Sequence, residues 1–538
     1  MKIDRESQKP LYMQIRDGLR AEIDAGELAA GTRLATVAAM AADYEVTPAT
    51  IRRAIQDLVS EGLVTAHVGR GTFVAGGGRL AETLADIRSS YGPQTATGSA
   101  AAGFSAAAAS PALAAPTRNG ERDNPSRNAS AARAANRLRQ SVARGLNELV
   151  NAAMRPGVIA FTRGTGDPDT IAEGTLTRLV QAALAGGERV FLDYGDPRGL
   201  PALRESIAAL YAKRGLEVSA DQVLVTSGSQ QALALIAQAA AESSSPVILE
   251  TPCYSGVTNA FAAFANPIET LVRGEDGPAI SALPASLDTE GAVFYYCPYL
   301  HNPTGTNISG EKQSALASWA RRRHALLVAD EVFRDLCFPD DEALPPSILA
   351  EAGSERSALV ASLSKSFISG LRVGWLVSSA ERIDALATLK KAMDLSCPPL
   401  MQGIARAFLD EEEGYAAHRQ RAREHYRLRR DALLAALEEY MPDCITWTVP
   451  DGGFQLQVSL PRGYSSVELL LRASERGVAF LPGPLQDLNK RFVNTLRLCY
   501  GSLSPDEIAE GIRRLALACE EYLYDSGRDS GLAGLGDY

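Results

Sequence analysis

The first 252 residues of this 538-residue chain hold no cysteine: all seven lie from Cys253 onward, and no two form a Cys-x-x-Cys pair. That excludes a disulfide frame and a zinc ribbon, and leaves reduced thiols as the expectation. Histidine is rarer still, at five scattered positions with no metal-ligand spacing. No apolar run approaches the ~18 residues of a membrane-spanning helix. The opening Met1-Lys2-Ile3-Asp4-Arg5-Glu6 is charged, with no apolar leader behind it, so a cytoplasmic protein without a membrane partner is expected. Excess positive charge is also missing. Lys and Arg number 54 against 64 Asp and Glu, a formal charge of −10, which argues against bulk coating of nucleic acid but leaves room for a small DNA-reading head. What remains is a 46% apolar, 22% charged composition typical of folded domains, in a chain too long for one core.

Residues 1–76 read as one small domain. Leu11, Ile15, Leu19 and Ile23 recur every fourth position behind Pro10, an amphipathic helix ending near Gly26. A short helical piece from about Thr36 to Ala42 follows. Thr47-Pro48 then places a capping hydroxyl before a proline at the first helical position, ahead of the stripe Ile51, Ile55, Leu58 and Val59. Leu63-Val64-Thr65 and Thr72-Phe73-Val74 read as two strands joined through a basic tip, Gly69-Arg70-Gly71. Three helices and a two-stranded wing make a winged helix-turn-helix. If Ile51 and Ile55 point inward, Thr47, Ala49, Thr50, Arg52, Arg53 and Gln56 are left for double-stranded operator DNA, with Arg33 and Arg70 at the flanks. Acidic and basic side chains balance over residues 1–80, so binding would need arginines gathered on one face and two heads acting together. Pro10-Leu11-Tyr12-x-Gln14-Ile15, Gly31-Thr32-Arg33-Leu34, Glu61-Gly62-Leu63-Val64 and Gly69-Arg70-Gly71-Thr72-Phe73-Val74 resemble the GntR family of bacterial regulators.

Residues 77–140 are rich in Ala, Ser, Gly, Pro and Asn and poor in large apolar side chains, which reads as a flexible tether. Over 141–525, short apolar runs alternate with helical stretches: Val223–Thr226, Pro246–Glu250, Ala292–Tyr296, Leu326–Asp330, Ala358–Ser362 and Trp375–Val377. Such runs predict strands buried on both faces, hence an α/β domain with a largely parallel sheet whose ligand sits at the carboxyl ends of the strands. Residues 526–538 read as a loose tail.

The polar residues that stand out fall at those strand ends. Ser227-Gly228-Ser229 opens an apolar helix, an arrangement able to hold a phosphate. Tyr254 offers an aromatic face for a flat ring, and Asn302 an amide donor. Asp330 is a carboxylate able to keep a pyridine nitrogen protonated. Lys365 follows the run Ala358–Ser362, and Arg372 follows it seven positions later. A lysine that attacks a carbonyl must be neutral, which desolvation or nearby positive charge achieves; Arg372 could supply that charge or clamp a phosphate.

In this chain order, Asn302-Pro303-Thr304-Gly305, Ser362-x-x-Lys365 and Arg372 resemble the fold type I, class I/II aminotransferases across nearly the whole domain. The resemblance implies pyridoxal 5′-phosphate (PLP) as cofactor and a smaller C-terminal α+β subdomain. It gives Lys365 the Schiff-base linkage, Asp330 the pyridine nitrogen, Asn302 the ring oxygen and Tyr254 the stacking role. Ser227, Gly228, Ser229, Ser362 and Arg372 match the phosphate site, while Tyr194 matches a tyrosine reaching the partner subunit's phosphate and so implies a homodimer. Arg497 matches the grip on a substrate or effector α-carboxylate, and Gly166 the loop closing over it. Where these enzymes usually carry Asp-x-x-Tyr, this chain has Asp330-Glu331-Val332-Phe333. Asn302 would then hold the ring oxygen alone, raising the pKa of the Schiff base and slowing turnover.

Head, tether and body together resemble the MocR subfamily of bacterial transcription regulators. That resemblance implies a PLP-dependent DNA-binding regulator sensing a small amine or amino-acid effector, or PLP itself. An active aminotransferase carrying a DNA-binding head is the alternative.

Overall fold

The computed structural model describes residues 10–24, 28, 32–60, 64–67, 71–74, 150–151, 157–264, 266–284 and 288–529. The chain divides into two units, Met1–Gly92 and Pro93–Tyr538.

The first unit contains helices α1 (Leu11–Asp24), α2 (Val37–Asp43) and α3 (Pro48–Ser60) and strands β1 (Val64–His67) and β2 (Gly71–Val74). The fourfold apolar spacing of α1 puts Ile15 and Leu19 against Met40 of α2 and Ile51, Ile55 and Leu58 of α3, all buried. Each of the two later helices starts on a threonine. Thr36 accepts from Ala39 N, and Thr47 Oγ1 from Thr50 N at 3.3 Å, supplying orphan N–H groups with an acceptor. β1 and β2 pair antiparallel with Val64 opposite Val74, and Leu34 N donates to Thr72 O, tying the approach to α2 to the wing. This is the expected winged helix-turn-helix. The wing tip with Arg70, the tether 77–140 and residues 530–538 lie outside the described residues.

The second unit is built on an eight-stranded sheet. Its strands are β4 (Val223–Thr226), β5 (Val247–Thr251), β6 (Ile268–Gly274), β7 (Gly277–Pro278), β8 (Val293–Tyr296), β9 (Leu326–Asp330), β10 (Ser357–Ser362) and β11 (Gly374–Val377), in the order β4-β11-β10-β9-β8-β5-β6-β7. β10, β9, β8, β5 and β6 run parallel, and β11 runs antiparallel to both its neighbours, so β4 shares the main direction. The sheet is largely parallel, as expected.

Side-chain alternation explains why the strands are apolar throughout. Leu224, Leu249, Val293, Tyr295, Val328, Val360 and Leu376 face one buried cluster, shared with helices α4 (Ser229–Glu242) and α5 (Ser255–Ala263). Val225, Ile248, Phe294, Tyr296, Leu327, Leu359 and Trp375 face the other, shared with helices Pro201–Lys213, Gly310–Arg323 and Pro399–Asp410.

A smaller antiparallel sheet, β12 (Thr446–Trp447), β13 (Gln455–Ser459), β16 (Thr495–Cys499) and β15 (Leu481–Pro482), forms the C-terminal α+β part. A parallel pairing of β3 (Ile159–Ala160) with β14 (Val478–Ala479) draws the start of the unit to it. Helix α6 (Glu412–Tyr440) reaches residues of the main sheet's carboxyl edge, and α7 (Pro505–Asp529) ends the described chain. α7 runs into the stretch expected to be a loose tail, because its apolar positions Ile508, Ile512, Leu515, Cys519 and Tyr522 are buried one helical turn after another.

Candidate cofactor and effector site

Parallel strands end at one edge, and here the polar residues of Ser227 to Ser229, Tyr254, Asn302, Asp330 and Lys365 gather just past the ends of β4, β5, β8, β9 and β10. β11 is antiparallel, so it begins at that same edge and delivers Arg372. Gly374 stands opposite Ser362 on one side and Thr226 on the other. A Cβ on Gly374 would lie 2.7 Å from the Gly228 carbonyl carbon, so only glycine lets the Ser227-Gly228 turn close on this strand.

The anion-binding corner is made by the start of α4 and Arg372. Gly228 takes φ +76° as the residue before the helix, Ser229 is its first residue, and Ser227 N donates to Gln231 Oε1 at 2.8 Å. A Cβ on Gly228 would meet Arg372 Nη2 at 2.8 Å. Arg372 itself has φ +53° and donates to Ser227 O at 3.1 Å and Ser364 Oγ at 3.3 Å. No carboxylate pairs with it among the described residues. Ser362, expected in the phosphate site, is bonded within its own turn. Its buried hydroxyl accepts from Ser364 N and bonds Val373 O at 3.1 Å, so it caps the 363–366 turn, and Ser364 is the serine beside the guanidinium.

Asp330 is buried and oriented from behind by Tyr295, whose hydroxyl donates to Oδ2 at 2.8 Å, with Val332 N on Oδ1 at 3.3 Å. Burial pushes its carboxyl up to about 6. A cationic ring nitrogen would remove that penalty.

Lys365 Nζ donates to Gly164 O. Burial pushes its ammonium below a lysine's ordinary pKa; Arg497 and then Arg372 push the same way, against Cys499 and Asp330. The expected lowering is therefore present, but burial and Arg497 outweigh Arg372. The Phe333 ring, 5.9 Å from Lys365 Nζ and edge-on to Phe454, occupies this wall with no hydrogen-bond donor.

Tyr254, at the start of α5, packs over Gly256, whose Cβ would strike the ring, and its phenol feels Asp330, Arg497 and Arg372. Asn302 is set by its neighbour: the His301 ring bridges Pro252 O and Thr304 Oγ1, both at 2.9 Å. Asn302 Oδ1 accepts from Arg497 Nη1 at 3.2 Å and from Gln486 Nε2 at 3.0 Å, while its Nδ2 has no partner among the described residues.

Arg497, in the middle of β16, is only 7% exposed, and no carboxylate pairs with it among the described residues. Nη2 donates to Thr162 O at 3.1 Å, and Nε is buried without a partner. A buried guanidinium left in that state calls for an anion. Gly166 lies across Lys365, its missing Cβ 3.0 Å from the lysine carbonyl oxygen. The adjoining Asp167 is pinned by α6: its N–H donates to Tyr426 Oη at 2.9 Å, and Oδ2 takes His425 Nε2 at 2.8 Å and Arg429 Nη2 at 3.2 Å.

Among the described residues, Asn302 Nδ2 and Arg497 Nε without partners and Arg372 without a carboxylate are acceptor-seeking groups near a lysine amine whose pKa is lowered and a carboxyl whose pKa is raised. That donor set fits a phosphorylated pyridine aldehyde and a carboxylate beside it. Tyr194 stands apart, 81% exposed. In the first unit, Arg33, Ala49, Arg52 and Arg53 are exposed and Thr50 half-buried; Thr47 is exposed and occupied as a cap, and the Arg53 guanidinium lies 4.3 Å over the Tyr12 ring. Gly164, Tyr295, Ser364 and Gln486 were not singled out by the sequence. Only the Gly164-x-Gly166 spacing and the serine next to Lys365 carried any signal.

The family described as aminotransferase class I and II matches residues 158–515, and that described as bacterial regulatory proteins, gntR family, matches residues 11–74. The 2-aminoadipate transaminase of Thermus thermophilus is 34% identical over 395 residues, 73% of this chain and 96% of that protein. The uncharacterized HTH-type transcriptional regulator YisV of Bacillus subtilis is 27% identical over 515 residues, 95% of this chain and 96% of its own length. Among solved structures, the alpha-aminoadipate aminotransferase LysN from Thermus thermophilus, complexed with N-(5′-phosphopyridoxyl)-L-leucine, has a TM-score of 0.63 at 33% identity. The match covers 69% of this chain and 94% of that one.

Proposed function

The chain belongs to the class I and II aminotransferases and joins that domain to a GntR-family head, the architecture of the MocR regulators, and from that we propose a PLP-dependent transcription regulator that senses a small amine carrying a carboxylate. The observation that carries the reading is Arg497: a buried guanidinium with no carboxylate among the described residues, hydrogen-bonded to the Asn302 expected at the ring oxygen.

In this reading the phosphate is held by Ser227, Gly228, Ser229 and Arg372, with Ser364 taking the outward role expected of Ser362. Asp330 holds the ring nitrogen, Asn302 the ring oxygen, and Tyr254 covers the ring. Lys365 is the point of covalent attachment. When bound, PLP supplies an electrophilic aldehyde carbon and an electron-withdrawing ring that acidifies the Cα–H of an attached amine. The residues prepare for it. Burial makes the Lys365 ammonium easier to deprotonate, Gly164 O accepts a hydrogen bond from its nitrogen, and Arg497 orients the effector by its carboxylate. Gly166 allows the 164–167 loop to lie over the site while Asp167 anchors it to α6.

A signal requires that the effector bind two conformations of the body unequally. The 164–167 loop, which touches Lys365 on one side and α6 on the other, is the segment best placed to differ between them. Two bodies would act as a pair. Leu192 at 82% exposure, Tyr194 at 81% and Val190 at 50% are exposed large side chains that a second copy would cover. Paired heads then meet operator DNA through the exposed side of α3.

The test uses the full chain. Absorbance with added PLP is read for the wild type and Lys365→Ala across a panel of L-amino acids and amines, alongside binding of a duplex from upstream of the protein's own gene. The expectation is a wild-type spectrum that responds to carboxylate-bearing amines and DNA binding that changes with it, both lost in Lys365→Ala. A colourless wild type that takes up no PLP overturns the proposal. The same Lys365, Asp330 and Arg497 would also serve turnover, and the similarity to a transaminase favours this second reading. Steady conversion of an amino acid with a keto acid would establish it.

A further inference from the structure

Two side chains hold the Asn302 amide oxygen. Arginine has only donors, so Arg497 Nη1 at 3.2 Å fixes which end of the Asn302 amide is oxygen. Gln486 Nε2 adds a second donor to that oxygen at 3.0 Å, from the opposite segment of chain. Gln486 is 3% exposed, and its backbone is locked as well: its N–H donates to Gly483 O and its carbonyl accepts from Cys253 N, each at 2.8 Å. The next residue, Asp487, accepts from Thr251 Oγ1 at 2.9 Å, so this stretch is fastened to the end of β5 beside Tyr254. The side chain of Gln486 thus leaves a rigid base and ends on one atom.

We propose that Gln486 is a positioning residue: by occupying Asn302 Oδ1 it keeps the Asn302 N–H2 turned toward the cofactor's ring oxygen, including when Arg497 is drawn to an effector carboxylate. Arg497 serves two partners, and an effector competes for its terminal nitrogens; Gln486 has no such second duty. The need is greater because Phe333 leaves Asn302 as the sole ring-oxygen donor from this wall. The inference rests on the PLP reading above.

The experiment measures the PLP dissociation constant and the pH midpoint of the bound cofactor's absorbance in the full-length wild type, Gln486→Met, Asn302→Ala and the double variant. Gln486→Met alone should weaken PLP about fivefold, one neutral hydrogen bond's worth, and move the midpoint upward, since a less firmly held donor stabilises the ring oxyanion less. In the Asn302→Ala background the same change should alter the dissociation constant by less than about twofold, the mark of a residue acting through another. An equal loss in both backgrounds, or no loss in either, overturns the proposal. If Gln486→Met is poorly folded by its melting temperature, Gln486→Leu replaces it: an aliphatic side chain cannot donate, so the affinity should still fall in the Asn302 background only. Absent PLP uptake by the wild type, or wild-type colour in Lys365→Ala, would instead sink the underlying assignment, leaving the two failures distinct.

Discussion

Arginine serves opposite purposes in the two units. In the body, Arg497 sits in a central strand, almost wholly buried, and among the described residues no carboxylate pairs with it and one of its nitrogens has no partner. In the head, Arg52 and Arg53 lie on the exposed side of α3, where a solvated charge costs nothing. The comparison teaches where a static fold speaks about function. Burial makes an unmatched charge expensive, so its survival points to an absent anion; exposure makes the same side chain uninformative until a partner is present.

Breaking the buried side should give the largest effect. Arg497→Leu removes the charged donors proposed for the effector carboxylate, each worth about 1.5–3 kcal/mol, and should weaken carboxylate-bearing amines about a hundredfold while leaving amines without a carboxylate nearly unchanged. The unliganded protein should melt at a higher temperature, because an uncompensated buried charge is gone. Calorimetry of wild type and variant with and without an amino acid checks both signs; a lower unliganded melting temperature would contradict the reading of Arg497 as an unmatched charge.

Asp330→Asn sharpens the same contrast through pH. The folded carboxyl is raised to about 6, above the ordinary carboxylate value near 3.8. The folded state therefore binds the proton more tightly, and that stability is fully present below about pH 4 and lost as pH rises through about 6. Without PLP, the variant should lack this loss and melt above the wild type at pH 8, the difference vanishing near pH 4. PLP should narrow the gap at pH 8 by giving the wild-type carboxylate a cationic partner. Melting curves across pH 4–8, with and without PLP, decide it.

Phe333→Tyr adds a donor where Phe333 now meets Phe454 edge-on. A hydrogen bond to the ring oxygen should lower the pH midpoint of the cofactor's absorbance by about one unit. An unmoved midpoint would mean that the new hydroxyl does not reach that oxygen.

What the sequence disclosed follows the same division. Lys365, Asp330, Asn302 and Ser227 were legible because each ends or follows a run of apolar strand residues, and parallel strands bring their ends together by topology. Arg372 was legible as a neighbour of Lys365, although the reason it arrives at the edge, the reversed β11, was not. β6 was missed: its exposure alternates and it carries Glu269, Thr270 and Arg273, so no continuous apolar run marks it. The two serines just before Lys365 could not be ranked from sequence, since the local turn decides that Ser362 caps and Ser364 faces Arg372. Gly164 and Tyr295 act through a backbone carbonyl and a buried hydroxyl whose targets lie far along the chain, and nothing local announces either.

The smallest prediction concerns the exposed side of the comparison, and it separates two arginines that neighbour each other in sequence. The Arg53 guanidinium rests 4.3 Å over Tyr12 of α1, a cation–π contact worth about 0.5–1 kcal/mol at an exposed site. Reaching a phosphate would require leaving that ring, so part of any gain on DNA is already spent within the head. Arg52 is exposed on α3, and among the described residues no aromatic ring lies beneath it as Tyr12 lies beneath Arg53. Arg52→Ala should therefore weaken duplex binding about tenfold and reduce the salt dependence by about one phosphate contact. Arg53→Ala should weaken it less than about threefold, leave the salt slope nearly unchanged and lower the melting temperature of the head slightly. Equal losses and equal salt slopes for the two would show that Arg53 abandons Tyr12 on DNA, and that the stacking seen in the free head is a resting position rather than a structural tie.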